Sequence, residues 1–131
     1  MNVLLVGLGG AVGSIGRYLV GLATQKIAGE GTFPWGTLVA NILGSLVLGV
    51  IMFGALEART ISPRMRLALA TGLMGGFTTY SSFAFETVHM MRDGAAFTAI
   101  GYALGTTVIC LAGSALGYWI GGLVFQTTLG S

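Results

Sequence analysis

The sequence predicts an all-α membrane protein, one domain of four transmembrane helices in 131 residues, and three observations carry that prediction. Only 8% of the residues are charged and 54% are hydrophobic, whereas a soluble domain carries about 25% charged residues. So few charges cannot cover the surface of a chain this short, and lipid as the outer solvent removes the need. Four apolar stretches, 3–24, 35–56, 67–91 and 95–125, reach the length of roughly 20 residues that a helix needs to cross a bilayer. The connections between them are short and leave no room for a soluble domain. Barrel strands would be shorter and would alternate apolar with polar residues, which these stretches do not.

The first stretch reads VLLVGLGGAVGSIGRYLVGLA. It lacks the basic leader of a secretion signal and stays apolar past Gly21, so a span is expected. Gly7, Gly9 and Gly13 imitate a dinucleotide-binding loop, but that loop needs a preceding strand and a soluble βαβ unit. Gly9 and Gly13 share one helix face, a spacing that lets backbones approach closely in lipid. Arg17 lies well inside this stretch and is open to three readings: snorkelling, pairing with a carboxylate, or drawing an anion into a vestibule.

Residues 25–34 contain Gly29, Gly31 and Pro34 and read as a turn. Trp35 follows at the interfacial position indoles favour. In the second span Thr37, Asn41 and Ser45 are four apart and share a face. Asn41 is deep enough to lose water. It is either glue between helices, worth about 0.6–2 kcal/mol, or a donor to an anion.

The connection 57–66 is the most polar piece of the chain, and Pro63 suits a helix start. A short amphipathic stretch at the membrane surface is expected there. In the third stretch, Gly72, Gly75 and Gly76 run directly into Thr78, Thr79, Ser81 and Ser82. Adjacent glycines before a hydroxyl run make a poor continuous helix. Non-helical backbone survives in lipid only where it is buried or lines a polar cavity. A break is therefore expected near 75–79, with an intact helix carrying a small-residue face as the competing reading.

Beyond it, Glu86 and His89 share a face near the end of the stretch. Intramembrane ionisable groups are functional candidates. His89 is expected to reach the interface, and Glu86 lies deeper. The fourth stretch carries Gly101 and Gly105, then Gly113, Gly117 and Gly121, as a close-packing face. A second row runs Thr98, Tyr102, Thr106, Cys110, Ser114 and Tyr118. Its middle, Tyr102 to Cys110, presents hydroxyl and thiol groups along one line, although such hydroxyls often bond their own backbone.

Charge bears on orientation and partners. Arg59, Arg64 and Arg66 would lie on one side, against Lys26, Arg92 and a snorkelling Arg17 on the other. Cytoplasmic loops normally carry the basic excess, and three against three allows insertion in either orientation as well as in one. A net charge of +2 is too small and scattered for a nucleic-acid partner. The single cysteine, Cys110, forms no intrachain disulfide and no metal cluster with the lone His89. No nucleophile–base–acid set appears, so an enzyme is not expected.

Phe77, Tyr80, Phe83 and Phe85 crowd around the hydroxyl run, with Tyr80 and Phe83 on one face. Aromatic rings are ordinarily core filler, but their positive edges can replace part of an anion's water shell. Beside Asn41 and the row Tyr102 to Cys110, this reads as a route for a small, strongly hydrated anion. A cation path would want a line of carboxylates or carbonyls, and only Glu86 is available.

The run GGFTTYSSFAFET (75–87), with WGTLVANILGS (35–45) and GLGGAVGSIGRY (7–18), resembles the Fluc (CrcB) family of fluoride channels over essentially the whole chain. The resemblance implies an antiparallel, dual-topology homodimer in the lipid of the bacterial inner membrane that exports fluoride passively. It implies two pores built from both subunits, and a structural sodium ion (Na+) at the dimer centre, held by the carbonyls of Gly75 and Thr78. The fluoride path it implies runs by Asn41, the rings of Tyr80 and Phe83, the hydroxyls of Ser81 and Thr79, and the track Tyr102, Thr106 and Cys110. Glu86 would lie near one pore end and Arg17 in the vestibule. Two positions depart from the family pattern: Tyr80 stands where Phe is common, and Cys110 where Ser is common, a thiol being the weaker donor. The runner-up is a proton-coupled small multidrug exporter of dual topology, which wants a central carboxylate in a first helix that here has only Arg17. Residues 126–131 lie past the last span, and the sequence leaves open whether they are native.

Overall fold

A computed structural model describes residues 1–29 and 31–129, with side chains to residue 125. Helix α1 spans Asn2–Ala28. It runs four residues beyond the expected end, because nothing in Gln25–Lys26–Ile27–Ala28 breaks a helix. The break comes at Gly29, whose φ of 78° is one that glycine adopts at little cost. The turn before the second helix is correspondingly short. Helix α2 spans Trp35–Leu56, preceded by Pro34.

The third helical rod, α3, covers residues 63–77. Ser62 caps it, its hydroxyl accepting from the Met65 N–H at 3.3 Å, with Pro63 in the first helical position. After the turn Pro63–Arg66 the rod widens into a π-helical run, Leu67–Met74, and returns to α geometry over Gly75–Phe77. Helix α4 spans Tyr80–Arg92, and after Gly94 (φ 81°) helix α5 runs Ala96–Leu129. Residues 130 and 131, the last of the tail beyond the fourth stretch, lie outside the described residues. No strand occurs among the described residues.

Three helices are long and apolar enough to cross a membrane as single rods: Asn2–Ala28, Trp35–Leu56 and Ala96–Phe125. The third expected stretch, 67–91, is instead split. Thr78 (ψ 159°) and Thr79 (φ −150°, ψ 115°) are extended, so α3 and α4 are two half-helices joined by two threonines. The break therefore falls inside the expected window, but not at the glycines thought to cause it. Gly75 and Gly76 are helical.

Gly76 serves packing, while Gly75 is exposed. A side chain on Gly76 would strike the backbone of Gly10, and one on Gly13 would strike the Leu73 carbonyl and the Phe77 N–H. Gly9 is likewise pressed against the backbone of Ala68, Leu73 and Gly72. α1 and α3 thus meet backbone to backbone, the arrangement that small residues permit in lipid. The same logic joins α2 to α5. Gly49 sits against the backbone of Ser114 and Tyr118, and Gly117 against that of Leu46. The expected glycine face of the fourth stretch is thereby divided: Gly113, Gly117 and Gly121 meet α2, while Gly101 and Gly105 meet nothing within 4 Å.

Candidate functional site: the break and its cavity

The break is held by one side chain. The Asn41 amide nitrogen donates to the Thr79 carbonyl at 3.1 Å, and its oxygen accepts from the Thr79 N–H at 2.7 Å. In an unbroken helix that N–H would reach back to the Gly75 carbonyl. Asn41 thus acts as a peptide surrogate, satisfying both backbone groups where water is scarce. The Thr79 hydroxyl then caps α4, accepting from the Ser82 N–H at 3.2 Å and donating to Ser82 Oγ at 3.0 Å. Ser81 Oγ lies 3.3 Å from the same hydroxyl and is exposed. Thr78 turns its hydroxyl back to the Met74 carbonyl at 2.9 Å.

A cavity of about 360 Å3 opens at this point. Asn41, Thr78, Thr79, Tyr80 and Phe83 line it from one side, and Thr106 and Cys110 of α5 from the other. Ser45, Thr107 and Ser114 complete its polar wall. Among the described residues, no charged one lines it. Thr106 is 5% exposed, and its hydroxyl oxygen is a buried polar atom without a hydrogen-bond partner. Phe83 lies between the other two rings, its centroid 5.7 Å from Tyr80 and 5.3 Å from Tyr102. Tyr80 is 81% exposed, so this wall of the cavity faces away from the chain's own helices.

One turn further along α4, Glu86 is pinned on both oxygens. The Thr37 hydroxyl donates to one at 2.6 Å and the Tyr102 hydroxyl to the other at 2.8 Å. α2, α4 and α5 are thereby tied together at a single carboxylate. Beyond it lies a second cavity, of about 470 Å3, lined by Phe85, Glu86, His89 and Asp93 among others. His89 and Asp93 pair at 2.9 Å and are both largely exposed.

Of the residues read from the sequence, the structure brings Asn41, Thr78, Thr79, Tyr80, Phe83, Thr106 and Cys110 around one cavity, and joins Tyr102 to Glu86 beside it. Ser81 sits at its edge. Arg17 is half-buried on α1 and lines neither cavity. Gly75 is exposed on α3, outside the cavity. Sequence reasoning missed the part played by Thr37. Its signal was present in the four-residue spacing with Asn41 and Ser45, but nothing local says which carboxylate a hydroxyl meets 49 positions away.

Comparison with known proteins places the chain in a family. The family described as "CrcB-like protein, Camphor Resistance (CrcB)" matches residues 4–118. The chain is similar to a protein of Geobacter sulfurreducens named "Fluoride-specific ion channel FluC", with 40% identity over 86% of this chain and 90% of that one. Proteins of the same name from Agrobacterium fabrum and Thermus thermophilus are 41% and 44% identical, over 95% and 91% of this chain and 99% and 94% of theirs. These relatives are named as ion channels, which are not enzymes. With that likeness running through both the break and the helix that holds it, the chain belongs to the CrcB family of membrane proteins.

Proposed function

We propose that the chain forms a passive, selective fluoride channel that lets fluoride leave the cell, and that the cavity at the break is part of its route. The observation that carries the reading is that the polar groups of that cavity are all neutral: Asn41, the hydroxyls and one thiol are set in an otherwise apolar wall, without a carboxylate or a basic group among the described residues. Fluoride holds its water tightly, so a route for it must offer donors in place of that water. The second Asn41 amide hydrogen, the unpartnered Thr106 hydroxyl and the positive ring edges of Tyr80 and Phe83 are such groups. None of them carries the full charge that would hold the ion too tightly to release it. Relatives named as fluoride-specific ion channels support the choice of anion.

The working unit in this reading is an antiparallel homodimer of dual topology in the bacterial inner membrane, with α3 and α4 together making the fourth crossing of each chain. Two pores lie between the copies. The exposed Tyr80 and the open faces of Gly101 and Gly105 give a second copy somewhere to pack, and the even distribution of basic residues permits it to be inverted. Sodium fits the break on the chemistry of its donors. The Gly75 carbonyl loses its helical partner to Asn41, and the extended Thr78 carries its carbonyl out of the helical ladder. Backbone oxygens suit a hard cation, and the Gly75 and Thr78 carbonyls of two copies would hold it. When bound, the ion supplies a positive centre that ties the copies together. The exporter reading is disfavoured, because Glu86 is held by two hydroxyls rather than left free to trade a proton for a drug cation.

Ion efflux from proteoliposomes tests the function. Fast passive loss of fluoride with little loss of chloride is expected. Trapped fluoride, together with proton-driven uptake of an organic cation, would establish the exporter instead.

A further inference from the structure

Cys110 is the single cysteine of the chain, and its thiol is free and half-buried in the wall of the cavity at the break. One turn earlier on α5, Thr106 is 5% exposed and lines the same cavity, with a hydroxyl oxygen that has no partner. A free thiol thus stands in the cavity wall one turn from a buried hydroxyl that no other group holds. Among the described residues, no acidic or basic side chain in the cavity wall competes for the thiol.

We propose that Cys110 makes this cavity a binding site for uncharged, thiophilic mercury(II), and that filling it closes the route. The proposal rests on the fluoride-channel reading above. Thiols bind soft metals with loss of their proton. Mercuric chloride is a neutral, linear molecule, so neither a low-dielectric entrance nor an anion-selective one repels it. The reaction is R–SH + HgCl2 → R–S–HgCl + H+ + Cl−. The S–H and one Hg–Cl bond break, an S–Hg bond forms, and no atom changes oxidation state. The adduct is neutral and avoids the cost of burying a charge. Its Hg–Cl arm would occupy the cavity that Asn41 and Phe83 also line, where an anion would have to pass. A serine at position 110 would offer mercury no comparable ligand.

The test compares each protein with its own untreated fluoride efflux. Proteoliposomes are treated with mercuric chloride, and the bound metal is counted by mass spectrometry. One mercury per chain is expected, with efflux slowed by about tenfold or more and restored by excess dithiothreitol. Cys110→Ser, or Cys110→Ala as a second variant, should take up no mercury and keep its own untreated rate. Equal slowing of the cysteine-free variants, absence of the adduct, or full efflux from chains that carry it would each overturn the proposal. Absence of fluoride efflux before mercury is added would overturn the channel reading instead, and the adduct mass would still report whether the thiol is open to the cavity.

Discussion

The two halves of the third segment, α3 before the break and α4 after it, solve opposite problems with the same small vocabulary of residues. α3 is pressed onto α1 so closely that Gly72 and Gly76 meet Gly9 and Gly10 backbone to backbone. α4 instead holds Tyr80 and Phe85 out from the chain, 81% and 69% exposed, and touches its neighbours chiefly through α5, one pinned carboxylate and a ring cluster. The first half is anchored by the absence of side chains and the second by a few polar ones. Asn41, reaching from α2 to the joint, lets the two regimes meet without stranding a backbone group in lipid. A rigid half and an open half, joined at a satisfied break, leave room for a cavity that a continuous helix would fill.

The contrast is easiest to break on the packed side. Gly76→Leu should have the largest effect, because its side chain would have to displace the α1 backbone at Gly10. Overpacking a well-filled contact costs about 1–3 kcal/mol even where neighbours can shift, and a backbone cannot shift as a side chain does. Loss of monodisperse protein on size exclusion is the expected result. At the joint, Asn41→Leu leaves the Thr79 N–H and carbonyl without partners. Each costs about 1–3 kcal/mol, so thermal stability in detergent should fall markedly and fluoride efflux should fail with it. On the open side, Tyr102→Phe keeps the ring contacts and removes one hydrogen bond to a carboxylate, at a cost of about 1–3 kcal/mol. Thermal unfolding should register a smaller loss than at Asn41. Ser81→Ala, which removes only an exposed hydroxyl 3.3 Å from Thr79, should change stability by less than about 0.5 kcal/mol.

The α3–α4 contrast also marks how far the sequence could be read. Three of the four apolar stretches as single rods, the Gly9–Gly13 face, the Pro63 start and a break within 75–79 were legible, because each is written in neighbouring residues. The agent of the break was not. Two glycines looked like the weak point, yet both stay helical, Gly76 packed against α1 and Gly75 exposed, and the chain departs at Thr78 and Thr79 because Asn41, 38 positions away, accepts and donates there. The π-helical run Leu67–Met74 has no local signature, since its residues suit an ordinary helix. It lies where α3 presses most closely on the α1 backbone. The polar row of the fourth stretch was legible as a row. Its division into Tyr102 holding Glu86, Thr106 left unpartnered and Ser114 bonded to the Ser45 carbonyl depends on α2 and α4. Arg17 lines neither cavity of the single chain.

The most direct test of the claim that the cavity at the break carries fluoride is efflux through Phe83→Ile, read with a fluoride electrode beside the elution volume of the same protein. Phe83 sits between the rings of Tyr80 and Tyr102, and isoleucine keeps its bulk while removing the positive ring edge. Abolished fluoride efflux with an unchanged elution volume is the predicted result. Efflux equal to that of the unaltered protein would contradict it and place the route elsewhere.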